Sequence, residues 1–352
     1  MHTVLVTGGC GFLGQHVVKH LQLYGENIKE IRVLDFIPFE RKLEYNCDRT
    51  ITSVIGDIQD VELVTRACKG VDAVFHLASK IDVSLLPDVQ SMYDVNVKGT
   101  HNIIKACKEK DVQYLIYCGT LGSFYGYDAV RNGTETSVTF PKKCSHGHYG
   151  ETKRKALEIV INENGSSLKN GKVLRTIGIL PPGMYGELDP TNTISRNRSV
   201  RNGIYYRVMG AMEAKIQYSY VGNVAMMFVR AYQSLLNNEK LGGQYVFAVD
   251  DSPPQTHIEH RKPYIGETIG VSSWFVSHRF VCAVLHFIYI CLLIISPFKK
   301  INFQLSPNVI NFVNTTFYVT YEKAKMMFGY KPFYDFKESI RRTIDSLPKV
   351  KQ

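Results

Sequence analysis

Short β-branched apolar runs alternate with amphipathic stretches through the first half of the chain. Residues 4–7 read as a strand that runs into a glycine turn, and residues 12–23 carry Leu13, Val17 and Leu21 on one helical face. Further strands are predicted at 31–35, 53–57, 73–78, 114–118 and 174–180, with helices at 96–107 and 149–162. Strands that are apolar almost throughout, separated by helical patterns, predict an α/β fold. Its core is a doubly wound parallel sheet of Rossmann type, covered on both faces.

Beyond residue 188 the pattern loosens. A polar stretch at 189–201 is followed by a helix ending near Leu236 and a strand at 244–249. Residues 280–295 are apolar except for His286, and a last amphipathic region covers 320–347. This predicts a cofactor domain at 1–188 and a smaller substrate-binding region at 189–352. Within the latter, 220–249 is expected to pack back on the first domain, and 276–298 to associate with a membrane.

Composition narrows the classes. With 352 residues, 45% hydrophobic and no low-complexity tract, the chain is long enough for about two domains and is not intrinsically disordered. Only one apolar stretch approaches spanning length, which excludes a polytopic membrane protein. The N-terminus lacks the pattern of a secretory signal. The eight cysteines form no CxxC pair and no cluster with histidine, so neither a metal site nor a disulfide framework is expected. The net charge of +10 allows nucleic acid, a membrane surface or an anionic cofactor as partner.

The chemistry starts at Thr7-Gly8-Gly9-Cys10-Gly11-Phe12-Leu13-Gly14, between the first strand and the first helix. Gly8, Gly11 and Gly14, with the backbone at Phe12 and Leu13, would let a pyrophosphate approach the helix N-terminus. Asp35 ends the second strand, 21 residues beyond Gly14. A carboxylate there accepts both ribose hydroxyls of NAD and repels a 2′-phosphate, and Phe36 follows it where an NADP site favours arginine. In Gly56-Asp57-Ile58, Asp57 closes the third predicted strand and is a candidate for the adenine edge. His76 lies beside the expected groove and receives no catalytic role.

Tyr149 and Lys153 stand at i and i+4 on one helical face. A phenol is a poor base near neutrality, with a reference pKa of about 10. A lysine ammonium together with the nicotinamide cation would favour the phenolate. Thr120, just past the fifth strand, is the candidate to hold the substrate oxygen, with Ser123 as competitor.

These residues, with Asn96-Val-Lys-Gly-Thr100, resemble the extended short-chain dehydrogenase/reductase superfamily. Tyr220-Val-Gly-Asn-Val-Ala225, Asn314-Thr-Thr-Phe317 and Phe328-Gly-Tyr-Lys-Pro332 narrow the resemblance to the 3β-hydroxysteroid dehydrogenases, including the bifunctional Δ5-4 isomerases. The resemblance implies NAD-dependent oxidation of a sterol 3β-hydroxyl to a 3-ketone, with Δ5-to-Δ4 isomerisation left open. It casts Tyr149 as general base, Lys153 as the cation that lowers its pKa and holds the nicotinamide ribose, and Thr120 as the hydroxyl on the substrate oxygen. Asn96 would link Lys153 to a proton-relay water. Two positions depart from the family pattern: Gly119-Thr120 stands where Ser-Ser is usual, and Leu180-Pro181 where Arg-Pro is usual.

As a helix, residues 280–295 would reach about 24 Å against a hydrocarbon core of about 30 Å. From Trp274 to the last residue there are 11 Lys and Arg against 4 Asp and Glu, a surplus of +7. A basic region beside an apolar helix suits an anionic cytosolic membrane face. The expected location is the endoplasmic reticulum membrane with the catalytic domain facing the cytosol; a mitochondrial membrane and a homodimer stay open. A sterol-4α-carboxylate 3-dehydrogenase is the alternative enzyme, and a catalytically silent NAD- or lipid-binding membrane protein the alternative of another class. No basic stripe interleaves with aromatics, so nucleic acid is not an expected partner.

Overall fold

A computed structural model describes residues 1–190, 204–208, 214–265, 270–299, 301 and 303–347. Of the polar stretch predicted at 189–201, residues 191–201 lie outside the described residues. Seven parallel strands form the central sheet: β1 (His2–Thr7), β2 (Ile28–Asp35), β3 (Thr50–Ile55), β4 (Ala73–His76), β5 (Tyr114–Cys118), β6 (Arg175–Leu180) and β7 (Gln244–Phe247). Their spatial order is β7-β6-β5-β4-β1-β2-β3. The order reverses between β1 and β4, and a crevice opens at the carboxyl ends there, where doubly wound sheets bind their ligands.

Alternation along each strand builds two cores. Val4 and Val6 face one side of the sheet and Leu5 the other, as do Ile116 against Leu115 and Tyr117. On the first side, α1 (Phe12–Tyr24) packs against helix Val221–Asn237 through Val17, Val18 and Leu21 against Val224, Met227 and Phe228. On the second, helices Thr100–Glu109 and Gly147–Asn162 contribute Ile103, Cys107, Ala156 and Leu157. Truncating a fully buried member such as Leu21 to alanine costs about 2–5 kcal/mol.

Of the boundaries that differ from the pattern reading, three change the picture. β3 stops at Ile55, so Asp57 lies in the following turn, ahead of Asp60, which caps helix Val61–Ala67 through the Leu63 N–H. A π-helical turn, Asp94–Gly99, precedes helix Thr100–Glu109. The last amphipathic region is two helices, Glu322–Phe328 and Phe336–Ser346, separated where Gly329 takes a left-handed conformation (φ 59°) and Pro332 follows. Smaller parallel pairs join Gly183–Tyr185 to Tyr218–Tyr220 and Val130–Gly133 to Phe317–Val319.

The apolar segment is a helix, His278–Ile295, the one helix among the described residues long and apolar enough to cross a membrane. Only Leu285 and Leu292 are buried; Phe280, Phe287, Ile290, Leu293 and Ile294 are exposed. The chain then returns through helix Pro307–Val313, whose Asn311 Oδ1 lies 3.0 Å from the His278 ring.

Candidate active site

The crevice at the switch point is a cavity of about 990 Å³. At one end lies the glycine turn. Gly8 has φ 71°, and a Cβ there would come within 2.8 Å of the Ala78 backbone; a Cβ at Gly14 would overlap the Gly8 carbonyl. Only glycine allows the turn, β1 and β4 to approach this closely. Gly11 caps α1 without any side-chain bond, so the first-turn N–H groups of the helix are left to the cavity. Gly8, Gly11, Phe12, Leu13 and Gly14 all line it.

Asp35 lines the same end, and its two oxygens accept from the backbone N–H of Cys10 at 2.9 Å and of Phe36 at 2.8 Å. The carboxylate is thereby pinned between the glycine turn and the end of β2. Asp57 and Ile58 also line the cavity, and Asp57 accepts from both the backbone and side-chain amides of Gln59. An uncapped helix N-terminus, a turn that admits no side chain, and a carboxylate beyond it form a donor set that fits NAD.

The other end holds Thr120 and Tyr149. Burial pushes the Tyr149 phenol above its ordinary range, the Cys118 thiol adds to this, and the nearby Thr120 hydroxyl pulls it back. The structure separates the two hydroxyl candidates. Thr120 faces the cavity and also accepts from the Gly122 N–H at 3.0 Å. Ser123 is buried and donates to the Gly150 carbonyl at 3.1 Å.

Lys153 and Asn96 are held by protein partners. The Lys153 ammonium donates to the Cys118 carbonyl at 2.7 Å and stands 4.5 Å from the centre of the Tyr117 ring. It is fully buried, which pushes its pKa down to about 8. Burial governs the Tyr149 phenol, whose shift is upward. The Asn96 amide bonds the backbone of Lys80 on both sides, at 2.8 and 2.9 Å, and the Thr152 hydroxyl at 3.1 Å. It holds the loop at Lys80 against the neighbour of Lys153 and makes no bond to Lys153 itself. His76 is a packing residue: its ring bridges Thr7 and Thr100 at 2.7 and 2.9 Å, and burial pushes it down to about 3.

Two cavity residues, Tyr125 and His146, escape a motif reading. His146 stands three residues before Tyr149, a helical spacing that would have drawn it to the same face. Tyr125 came to the wall through the short helical turn Leu121–Phe124, which no pattern signals.

Residues 5–269 match the sequence model of the 3-beta hydroxysteroid dehydrogenase/isomerase family. The chain is 30% identical to the mouse (Mus musculus) protein "3 beta-hydroxysteroid dehydrogenase type 7", over 97% of this chain and 94% of that one. Its human (Homo sapiens) counterpart is 31% identical with the same coverage. Among solved structures, the Thermus thermophilus UDP-glucose 4-epimerase complex with NAD superposes with a TM-score of 0.68 at 22% identity, covering 99% of this chain and all of the other. That likeness concerns the fold. The match to the family runs from the glycine turn past Lys153 into the second half of the chain, and the sequence likeness extends nearly end to end: the chain belongs to the 3-beta hydroxysteroid dehydrogenase/isomerase family.

Proposed function

We propose that the chain oxidises the 3β-hydroxyl of a sterol or steroid to the 3-ketone with NAD. The observation that carries this reading is the pairing of Thr120 and Tyr149 on one wall of the cavity whose far end holds the glycine turn and Asp35. Bound at the turn, NAD would accept the hydride from C3 and bring a positive charge beside the reacting oxygen. With that charge and the Lys153 ammonium favouring the phenolate, Tyr149 takes the alcohol proton at its phenolate oxygen, and the Thr120 hydroxyl holds the substrate oxygen in line with it. Lys153, one turn along the helix, is the cation for the nicotinamide ribose; Asn96 fixes the loop at Lys80 that borders the same cavity. Asp35 selects NAD through the ribose hydroxyls, and Asp57 and Ile58 border the adenine.

In this reading residues 1–188 are the cofactor domain and 189–352 the substrate-binding region. Helix His278–Ile295, with the basic chain around it, attaches the enzyme to the endoplasmic reticulum membrane with its catalytic domain in the cytosol, where an apolar sterol is at hand. Detergent-solubilised protein supplied with NAD and a panel of C19, C21, C27 and 4-carboxy sterols tests the assignment. NADH should form with a 3β-hydroxy-Δ5 sterol, and Tyr149→Phe should abolish turnover while NAD still binds. Undiminished turnover in that variant would sink the reading, and turnover of the 4-carboxy sterol alone, with loss of carbon dioxide, would move it to the decarboxylating enzyme.

A further inference from the structure

On the substrate side of the cavity, His146 sits between aromatic rings: Tyr125 at 4.9 Å and Phe312 at 4.7 Å between centroids, with the Tyr149 ring edge-on at 6.4 Å. Its Nδ1 is enclosed against Gly122, where an added Cβ would overlap it. The ring lines the cavity, and Nε2 is the nitrogen on the side of the ring away from Gly122. Burial holds the ring well below its ordinary pKa, at about 4, so at neutral pH it is an unprotonated base. An unprotonated imidazole has a lone pair that can take a proton from an acidic carbon, as a base of modest strength.

Resting on the sterol-oxidation reading, we propose that His146 carries the proton between C4 and C6 in a Δ5-to-Δ4 isomerisation of the 3-keto product, in the same cavity. Nε2 takes the proton from C4, and the C–H electron pair becomes the C3–C4 double bond of a dienolate. The Tyr149 phenol, protonated by the preceding oxidation, and the Thr120 hydroxyl hold the negative 3-oxygen. The imidazolium then returns the proton to C6, which takes the electron pair of the former C5–C6 double bond. The carbonyl re-forms at C3, the C4–C5 double bond is left conjugated to it, and the imidazole is neutral again. No oxidant or reductant is consumed. A base of modest strength is adequate: a steroid isomerase of another fold uses a carboxylate with a pKa of about 4.6. The reacting carbons lie one and three bonds from C3, so the base must stand beside the Tyr149–Thr120 pair, which is where His146 is.

The test supplies full-length protein, in detergent, with a 3-keto-Δ5 steroid deuterated at C4 and with NADH, so that isomerisation is read without the oxidation step. A second assay starts from the 3β-hydroxy-Δ5 steroid with NAD and records conjugated enone formed per NADH. Wild type should form enone and carry deuterium from C4 to C6. His146→Gln and His146→Ala should lower enone formation by about 10²-fold or more, the usual size of a lost acid–base group. Thermal midpoints close to wild type show that the variants are folded, with Gln keeping the ring's approximate bulk. Enone formation within about twofold of wild type in both variants, or a wild type that yields no enone from the 3-keto substrate, overturns the proposal. Absence of NADH in the second assay, with enone still formed in the first, overturns the oxidation reading and leaves this one standing.

Discussion

Gly119 and Leu180 compete for one space. A Cβ at Gly119 would come within 2.9 Å of Leu180 Cγ, and Leu180 is wholly buried in the second core. The two are neighbours because the ends of β5 and β6 run side by side, with the Gly119 N–H donating to the Ile179 carbonyl at 2.8 Å. The two departures from the family's usual residues are therefore in contact. The chain gives up a side chain at 119 where it places a branched apolar one at 180.

Restoring a side chain at one of these positions should cost stability unless the other gives way. Gly119→Ser is expected to destabilise by about 1–3 kcal/mol through overpacking. In the Leu180→Ala background the same change should cost less, giving a coupling energy above about 0.5 kcal/mol in a double-mutant cycle. Denaturant midpoints of the four proteins measure it, and additive costs would show that the contact is relieved elsewhere.

Thr120 and Ser123 should separate by kind of defect. Thr120→Val removes the hydroxyl that faces Tyr149 and should lower kcat by about 10- to 10²-fold, with Thr120→Ser restoring most of it. Ser123→Ala removes the side-chain donor to the buried Gly150 carbonyl and should cost about 1 kcal/mol of stability with little kinetic change. Steady-state kinetics beside thermal melts give both readouts.

Asp35→Ala should weaken NAD and narrow its advantage over NADP, each by about tenfold, since a charge-assisted bond to the ribose is worth about 1.5–3 kcal/mol. Cofactor titration of the purified protein provides the comparison. An unchanged NAD/NADP ratio would mean that the carboxylate serves only to hold Cys10 and Phe36.

Acid should unfold the protein through its histidines. Burial holds His16 at about 4 and His20 and His76 at about 3, against about 6.5 in an unfolded chain. Between about pH 6.5 and 4 the unfolded chain binds protons that the folded one refuses, so stability falls as pH drops through that window. Urea midpoints at several pH values should trace the fall. His16→Gln can keep the bond to the Glu187 carbonyl and should flatten the curve.

The exposed side of helix His278–Ile295 should bind lipid. Phe287→Glu combined with Ile294→Glu places two charges among its exposed apolar residues and should release the protein from anionic vesicles in a flotation assay. The cofactor cavity lies on other elements, so NAD binding serves as the control for folding.

The sheet was legible because it is built from local alternation: Leu5 and Val6 already announce two cores, and the glycine turn with Asp35 places the cofactor end. The boundaries that shifted depend on the backbone, at Asp57 beyond its strand and at Gly329 between two helices. The substrate end was only half legible. Tyr149 and Thr120 carry a motif, whereas the Tyr125–His146–Phe312 stack is assembled from three distant segments and has no local signature. Lys153 and Asn96 were placed by spacing on the correct elements, but their partners, Cys118 and Lys80, are set by tertiary packing.

The seventh strand has a consequence for the order of synthesis. Gln244–Phe247 pairs with Ile177–Leu180, so the central sheet stays open at that edge until Phe247 has left the ribosome. A chain stopped before it would present the apolar strand Arg175–Leu180 as an unpaired template for aggregation. The greasy helix begins only at His278. In chain order the last strand of the central sheet therefore precedes the apolar helix, so that translation supplies every strand of the sheet before that helix.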